Sequence, residues 1–347
     1  MIRVVLATMA LAMMGLGASP PAGLVLSKGG QTDYTIVISP EASASERHAA
    51  EELRAFLKQI TGAEFPVGTE AAPGPMILIG QSPALAGLGV QVPWAELGDE
   101  GFVIRTMGPH LVLAGGRLRG SMYAVYTFLE DYAGCRWFSS KVTYVPERRR
   151  LVVPFINRQQ VPRLEYREDF YSDAFDADYA ARTRMNGCHS RLDEARGGKV
   201  GYCPFVHSFY MLLPPDKYFA EHPEYYSMVN GKRTAENAQL CLTNPQVVRL
   251  ATERVEELIR EQPGRTIHSV SQNDCGGWCE CPNCKALDER EGSHAGTVIN
   301  FVNQIAEAIE DKYPGHAIDT LAYQYTRKPP KTIRPRKNVI VRLCSIE

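Results

Sequence analysis

Four cysteines lie within ten residues of one another in the second half of the chain, in the pattern Cys275-x3-Cys279-x-Cys281-x2-Cys284. Thiols at this spacing either bind a structural zinc ion in a tetrahedral arrangement or pair as disulfides, and Cys241 could replace one of them as a ligand. Redox or catalytic thiol chemistry is a third alternative. In the first two cases the cluster fastens the loop that carries Asp274.

The chain begins with a segment typical of an exported protein. Arg3 precedes an apolar run from Val4 to Leu16, and small residues and two prolines follow. This order predicts a signal peptide over residues 1–23 and a secreted or periplasmic protein. The apolar run is shorter than the roughly 20 residues that a membrane span needs, and no other segment predicts one. In an oxidising compartment the nine cysteines could pair, although an odd count leaves at least one unpaired.

The overall charge of the chain argues against a nucleic-acid partner. The formal net charge is −1, with 38 basic and 39 acidic residues, so there is no excess of positive charge to attract phosphates. Hydrophobic residues make up 44% of the chain, enough for a globular core.

Residues 30–155 predict a first domain of mixed α/β type. A strand over residues 34–38 precedes a helix with Leu53, Phe56, Leu57 and Ile60 on one face, which Gly62 ends. A short strand, a strand pair and a second helix follow. This order predicts a small α/β sandwich, with helices packed on one face of a sheet.

Residues 160–347 change to an alternation of strands and helices. Six strands are predicted, over residues 164–170, 184–189, 205–211, 266–271, 317–323 and 338–344. Repeated βα units predict a parallel sheet, and eight such units close a TIM-like barrel. Six units predict a truncated (β/α)8 barrel. Asn230-Gly231 predicts a hairpin inserted in one of its loops.

Several segments resemble a known family arrangement. Residues 49–53, 60–62 and 77–80, together with Gly120–Glu130 and Gly134–Trp137, look like the non-catalytic domain that precedes the barrel in β-hexosaminidases and α-glucuronidases. His222–Tyr225, Gln239–Pro245 and Ser271–Asp274 are similar to a bacterial domain-of-unknown-function family that follows this domain and is thought to be glycosidase-like. The resemblance implies a carbohydrate substrate.

The match to hexosaminidases has one departure. That pattern has an Asp-Glu pair after the fourth barrel strand, where this chain has Asn273-Asp274. An α-glucuronidase-like or other exo-acting glycosidase is therefore implied equally well.

Glycoside hydrolysis needs two carboxyl groups, and barrel strand ends are where they are expected. Asp274 follows the fourth strand and is the candidate acid, although an Asp that caps the following turn is the alternative. Glu347 ends the sixth strand and is the candidate second carboxylate. No cofactor is predicted for catalysis; zinc, if bound, would be structural.

The predicted sugar-binding residues lie at or near the same strand ends. Amide, phenol, imidazole and guanidinium groups suit sugar hydroxyls, and the residues of these types are Arg167, Asn186, His207, Asn273 and Tyr323. Trp278 and Tyr325 could cover CH faces of a sugar ring. Glu168 and Asp169, beside Arg167, either bind hydroxyls or form a structural ion pair.

Two other functions remain compatible with the sequence. One is a non-catalytic carbohydrate-binding or surface protein that kept the barrel and lost a carboxylate. The other is a carbohydrate lyase, which would use a Tyr, His or Lys base. A second carboxylate facing Asp274 distinguishes the hydrolase from the binding protein.

Overall fold

The computed structural model describes residues 23–345. Residues 1–22 of the predicted signal peptide lie outside the described residues. The candidate carboxylate Glu347 also lies outside them. The chain divides into two compact units, which meet in sequence between Lys199 and Val200.

The first unit is built on a mixed sheet. Its strands within residues 23–199 are β1 Leu24–Lys28, β2 Thr35–Val37, β3 Val67–Gly68, β4 Met76–Ile79, β5 Phe102–Met107, β6 His110–Gly115, β7 Arg136–Trp137, β8 Thr143–Tyr144, β9 Arg150–Val153 and β10 Asn157–Gln160. Its helices are α1 Ala44–Thr61, α2 Pro83–Gly87, α3 Trp94–Leu97, α4 Gly120–Phe128 and α5 Ala177–Arg182. The main sheet has the order β10-β5-β6-β4-β2-β3, with β2, β3, β4 and β6 parallel and β5 antiparallel to both of its neighbours.

Both faces of this sheet are covered, whereas the sequence predicted helices on one face. Ile36, Ile77 and Leu113 pack with the long helices α1 and α4. Leu78 and Val112, which point the opposite way, pack with the short helices α2 and α3 and the loop before α3. The four residues of β4 are buried, as expected for a parallel strand covered on both faces.

Helix α1 has sharply defined ends. The Ser43 side chain accepts a hydrogen bond from the backbone N–H of Glu46, and the Glu46 carboxylate accepts one from the N–H of Ser43. Gly62 ends the helix in the left-handed conformation, as predicted. The buried Glu46 also requires a glycine at position 80, because a Cβ there would lie 2.1 Å from Glu46 Oε1.

The domain boundary predicted between residues 155 and 160 lies inside the first unit. Strand β10 pairs with β5, and Arg182 forms an ion pair with Glu52 of α1 at 2.8 Å.

The strands predicted over residues 164–170 and 184–189 do not form. Phe170 and Arg184 have left-handed backbone angles, with φ of 61° and 62°, which are incompatible with an extended strand.

The second unit is built on a parallel sheet. Its strands within residues 200–345 are β11 Met228–Val229, β12 Lys232–Arg233, β13 Ile267–Ser269, β14 Ala317–Ala322 and β15 Val339–Leu343. Its helices are α6 Phe209–Leu212, α7 Pro215–Tyr218, α8 Pro245–Glu261, α9 Pro282–Glu291 and α10 Ala295–Glu310. Strands β13, β14 and β15 pair in parallel in that order, and Tyr202 adds an isolated parallel bridge to Ile267.

Helices α8 and α10 supply the core against which this sheet packs. Val255 of α8, Phe301 and Ile305 of α10 and Ile318 of β14 are buried in one cluster, so each of the two helices turns an apolar face toward the sheet. The predicted hairpin is also present, as β11 and β12 around Asn230-Gly231.

The predicted barrel is not closed within residues 200–345. The last three predicted strands are present as β13, β14 and β15, but the strand predicted over residues 205–211 is absent. His207 has a left-handed backbone, with φ of 52°, and Phe209 begins a short helix. The fold is therefore mixed α/β with small sheets. No helix in residues 23–345 combines the length and hydrophobicity of a membrane span.

A pair of histidines, His268 of β13 and His316 just before β14, is expected to make the second unit sensitive to acid. His268 Nδ1 donates to the carbonyl of Cys203 at 2.7 Å, and its Nε2 lies 2.9 Å from His316 Nδ1. Burial lowers the pKa of His268 to about 4 from its ordinary value of 6.5. The unfolded chain therefore binds a proton at this residue more readily than the folded chain between those two values.

We expect the contribution of His268 to the free energy of unfolding of the second unit to be constant above about pH 6.5 and to fall as the pH is lowered toward 4. At about 1.4 kcal/mol for each pH unit, His268 contributes a loss of about 3 kcal/mol. Urea unfolding at a series of pH values measures it, and His268→Asn should flatten this part of the profile. An unchanged slope in that variant would assign the acid sensitivity to other groups.

Candidate functional site

The carboxyl ends of the parallel strands bring three of the predicted residues together. Asp274 lies in the loop after β13, and Tyr323 directly follows β14. The hydroxyl of Tyr323 donates to Asp274 Oδ1 at 3.0 Å. This hydrogen bond raises the pKa of Tyr323, so the phenol keeps its proton and the carboxylate keeps its orientation. Asp274 is exposed to solvent and is not consumed in capping a helix.

His207 borders this pair. Its ring centroid lies 5.8 Å from that of Tyr323, and its Nδ1 donates to the carbonyl of Gln272 at 2.8 Å. Because a carbonyl only accepts, Nδ1 carries a proton, and in the neutral ring Nε2 is the basic nitrogen. The left-handed backbone of His207 costs free energy, and such strain is frequent at functional sites.

The side chain of Asn273, a predicted sugar ligand, forms hydrogen bonds with the backbone of the protein. Its side-chain amide donates to the carbonyl of Ala238 at 2.9 Å and accepts from the backbone N–H of Tyr210 at 3.3 Å. These bonds hold the loop after β13 in place. Asn273 therefore positions its neighbour Asp274.

Gln239 is a positioning residue that the sequence reasoning did not identify. It is 1% exposed, and its side-chain nitrogen donates to the carbonyls of Cys275 and Gly276 at 2.8 and 2.9 Å. Its side-chain oxygen accepts from the N–H of Asn273 at 2.8 Å. Each of these bonds shapes the loop that presents Asp274. The sequence pointed to Gln239 only through its place in segment 239–245, which is one of the segments that resemble the family.

A cavity of about 870 Å³ opens beside the same loop. Trp278 forms one wall, with its ring centroid 4.4 Å from that of His294 and 5.3 Å from that of Tyr325. His294 Nδ1 lies 2.6 Å from a carboxylate oxygen of Asp288, which also lines the cavity. Aromatic faces beside hydrogen-bonding groups are suited to a sugar. Asp274 and Tyr323 are not among its lining residues.

The thiol cluster forms, but with a different membership from the predicted one. Cys241, Cys279, Cys281 and Cys284 place their sulfur atoms within 4.8 Å of one another, and all four residues are buried. Cys275 lies outside this group. Its thiol faces the carbonyl of Ala238 at 3.6 Å. The four cysteines of this cluster and Cys275 are not joined in disulfides in the structure.

The sulfurs of the cluster are close enough to share protons. Hydrogen bonds with Cys279 and Cys284 lower the pKa of Cys241. The same contacts with Cys241 raise the pKa of Cys279 to about 12 and raise that of Cys284 as well. Four thiolates at these distances would repel one another strongly unless a cation lay among them.

Arg167 and Asn186 lie in the first unit, where both contact Glu100 in place of the predicted sugar site. Arg167 forms an ion pair with Glu100 at 2.8 Å, and the Asn186 amide donates to the same carboxylate at 2.8 Å. Arg119 supplies a second guanidinium, 2.7 Å from Glu100. Asn186 is fully buried. These contacts hold the chain around Arg167 and Asn186 against Glu100, and they join residues too far apart in the sequence for local patterns to indicate them.

Glu168 also has a partner within the first unit. Its carboxylate accepts from the backbone N–H of His189 at 2.7 Å and lies 3.1 Å from the His189 ring nitrogen. This contact agrees with the structural alternative considered for Glu168.

A buried ion pair on the parallel sheet was not predicted. Asp319 of β14 is fully buried and pairs with Arg342 of β15 at 2.6 Å. Burial raises the pKa of Asp319, and Arg342 opposes that effect. The Arg342 guanidinium also lies over the rings of Tyr202 and Phe205. The sequence could have indicated this ion pair, because Asp319 is the one acidic residue within the apolar strand β14.

Comparisons with known proteins agree with the resemblance seen in the sequence. The family model described as Domain of unknown function (DUF4838) matches residues 137–347, and the model described as Glycosyl hydrolase family 67 N-terminus matches residues 28–128. No curated protein matches the chain.

Glycosidases are among the solved structures to which the chain is similar. A family GH115 4-O-methyl-α-glucuronidase with specificity for decorated arabinogalactans has a TM-score of 0.50 at 12% identity, and the match covers 92% of this chain and 45% of that one. Hexosaminidases from Streptomyces plicatus and Streptomyces coelicolor A3(2) have TM-scores of 0.46 at 14% and 12% identity, with 93% of this chain and 66% of theirs covered. The chain thus spans less than half of the glucuronidase and about two thirds of the hexosaminidases.

Proposed function

The chain belongs to the family described as Domain of unknown function (DUF4838), and we propose that it is a glycoside hydrolase with its active site at the carboxyl ends of β13 and β14. The observation that carries the proposal is the contact between Asp274 and Tyr323, which presents an exposed carboxyl group at a strand end. The glycosyl hydrolase N-terminal match and the fold shared with an α-glucuronidase support a carbohydrate substrate.

In this proposal Asp274 is the general acid. In its protonated form it transfers a proton to the glycosidic oxygen as the bond to the anomeric carbon breaks. The Tyr323 hydroxyl orients the carboxyl group, and the His207 ring lies beside that of Tyr323. The second carboxyl group is assigned to Glu347. A separation of about 5–5.5 Å between the two carboxyl groups would make Glu347 a nucleophile, and about 6.5–9.5 Å would make it the base of an inverting enzyme.

The parallel sheet of the second unit supports a barrel as the wider architecture. Strands β13, β14 and β15 and the bridge at Tyr202 run in one direction, with α8 and α10 behind them, as in consecutive βα units. Strand β15 is an edge of this sheet, and its outer backbone groups could pair with a further parallel strand. We assign the sheet to an incomplete (β/α)8 barrel.

Export is a further part of the proposal. Removal of residues 1–23 as a signal peptide would deliver the protein to the periplasm or the medium, where polysaccharide fragments are met. Sequencing the N-terminus of the protein isolated from these fractions tests it.

The aromatic cavity favours a second candidate, a carbohydrate-binding protein without catalysis. Its lining residues Trp278, His294 and Tyr325 suit sugar binding by themselves, and Asp274 is not among them. If the protein binds a sugar but turns over none of the substrates tested, this candidate is favoured.

Assaying the full-length protein on a panel of substrates separates the candidates. The panel comprises aryl glycosides, uronic-acid-decorated xylan and arabinogalactan fragments, and N-acetylhexosamine oligosaccharides, with products identified by mass spectrometry. Hydrolysis adds the elements of water to the products, whereas a lyase leaves an unsaturated, ultraviolet-absorbing sugar. Release of a reducing sugar by hydrolysis is the expected result. Unsaturated products, or no products from any substrate, would contradict the proposal.

Trp278 should contribute to substrate affinity. We expect Trp278→Ala to weaken oligosaccharide binding about tenfold, or about 1.4 kcal/mol, because an aromatic wall of the cavity is removed. Isothermal titration measures the effect. Phe138→Ala, which removes an exposed aromatic ring from the first unit, is the matched control and should leave affinity unchanged. Equal affinities for the Trp278→Ala and wild-type proteins would remove the cavity from the proposed site.

A further inference from the structure

We propose that Cys241, Cys279, Cys281 and Cys284 bind one zinc ion, which anchors the loop after β13. The sequence left zinc, disulfides and redox or catalytic thiols as alternatives, and it grouped Cys275 with Cys279, Cys281 and Cys284, with Cys241 as a possible replacement. The structure brings Cys241 into the group from 38 residues earlier in the chain than Cys279 and leaves Cys275 outside it.

The distances among the sulfurs fit a tetrahedral metal site. All four lie within 4.8 Å of one another, and the sulfurs of Cys241 and Cys281 are 3.6 Å apart. Four thiolates about 2.3 Å from a central zinc ion are separated by about 3.8 Å, whereas sulfurs in a disulfide are about 2.05 Å apart. Convergence of four sulfurs on one point is the arrangement of a metal site. Two disulfides would gather them as separate pairs.

Local structure explains how the four residues converge. Cys281 is the N-cap of α9, Pro282 follows it, and Cys284 lies in the first turn of the helix. The partial positive charge of a helix N-terminus stabilises thiolates. Cys279 lies three residues before the helix, and its loop meets the segment that carries Cys241 because the backbone N–H of Gln239 donates to the carbonyl of Gly277 at 3.2 Å.

Hydrogen-bond donors surround the cluster, and they would stabilise the negative charge of zinc-bound thiolates. The backbone N–H of Met228 donates to the Cys279 sulfur at 3.3 Å, and Arg233 Nη1 approaches the same sulfur at 3.6 Å. The Thr243 hydroxyl lies 3.1 Å from the Cys284 sulfur. Donors of this kind surround the ligands of metal sites and tune them. A zinc ion with four thiolates carries a net charge of −2, which Arg233 partly offsets.

Zinc would stabilise a part of the chain that has no helix or strand to hold it in place. Residues 270–281, between β13 and α9, form no helix or strand, yet they carry both Asp274 and Trp278. The metal would tie this loop to the segment after the hairpin β11–β12. Closing such a loop reduces the conformational freedom of the unfolded chain, so that zinc binding adds to the stability of the second unit.

The metal content of the full-length protein, purified without chelators, tests the proposal. We expect one zinc per chain by elemental analysis, and all nine cysteines as thiols after denaturation with a chelator. Cobalt exchanged into the site should give the intense sulfur-to-cobalt absorption of tetrahedral thiolate coordination. These measurements use the wild-type protein and do not depend on whether a variant folds.

Two variants then identify the ligands. Cys241→Ser should abolish stoichiometric zinc binding, whereas Cys275→Ser, a matched change in the same loop, should retain one zinc per chain. Disulfides among the four cysteines, four free thiols without metal, or equal loss of zinc in both variants would overturn the assignment. Because metal content is measured without a sugar substrate, failure of this proposal is distinguishable from failure of the proposed hydrolase activity.

Discussion

Replacing Asp274 by Asn should lower the rate of glycoside hydrolysis about 10²–10⁴-fold, the usual contribution of a general acid. Asparagine keeps the size of the side chain and can still accept the hydrogen bond from Tyr323, but it has no carboxyl proton to transfer to the leaving oxygen. The loss should therefore appear in kcat on a natural oligosaccharide, whose leaving group is poor. On an aryl glycoside with a good leaving group the loss should be much smaller, because that oxygen needs little protonation.

Asp216→Asn is the matched control for this experiment. Asp216 is an exposed aspartate of α7 in the same unit, so the substitution removes the same charge from the surface. Its activity should equal that of the wild type. A rate for Asp274→Asn within a few-fold of wild type on the oligosaccharide, or an equal loss on both substrates, would exclude Asp274 as the acid.

Replacing Glu100 by Gln should destabilise the first unit by about 3–5 kcal/mol, the usual cost of removing one member of a buried ion pair. Glu100 lies between two guanidinium groups, those of Arg119 and Arg167, at 2.7 and 2.8 Å. The Arg119 side chain is 6% exposed and that of Arg167 17%, so water can do little to compensate for the lost carboxylate. The neutral amide would leave two buried positive charges close together.

Hydrogen exchange measured by mass spectrometry localises this effect to one unit. Amides of α1 in the first unit should exchange faster in Glu100→Gln, by the factor that corresponds to the lost free energy. Amides of α8 in the second unit serve as an internal reference. Glu70→Gln, which neutralises an exposed glutamate of the first unit, should leave both helices unchanged. Unaltered exchange in α1 of Glu100→Gln would show that the network contributes little to stability.

Local patterns in the sequence were sufficient to predict many elements. The apolar stripes of α1, α8 and α10 repeat at the helical period, and each predicts which face is buried without reference to the rest of the chain. Gly62 and Asn230-Gly231 carry their own backbone preferences, so the end of α1 and the hairpin β11–β12 were also predictable. The same holds for the strand ends at Asp274 and Tyr323, since parallel strands place their carboxyl ends at one edge.

Contacts between distant residues required the tertiary structure. Strands were predicted over residues 164–170 and 184–189 from the alternation of elements, yet the bonds of Arg167 and Asn186 to Glu100, 67 and 86 residues earlier, hold these segments as loops in the first unit. Cys275 matches the local cysteine spacing better than Cys241, but the path of the chain from Tyr226 to Leu240 decides which thiol reaches the cluster. Periodicity and turn chemistry act over a few residues and can be read from them. Which side chain meets a buried charge or a shared sulfur site depends on how the whole chain packs, because burial sets the free energy of such contacts.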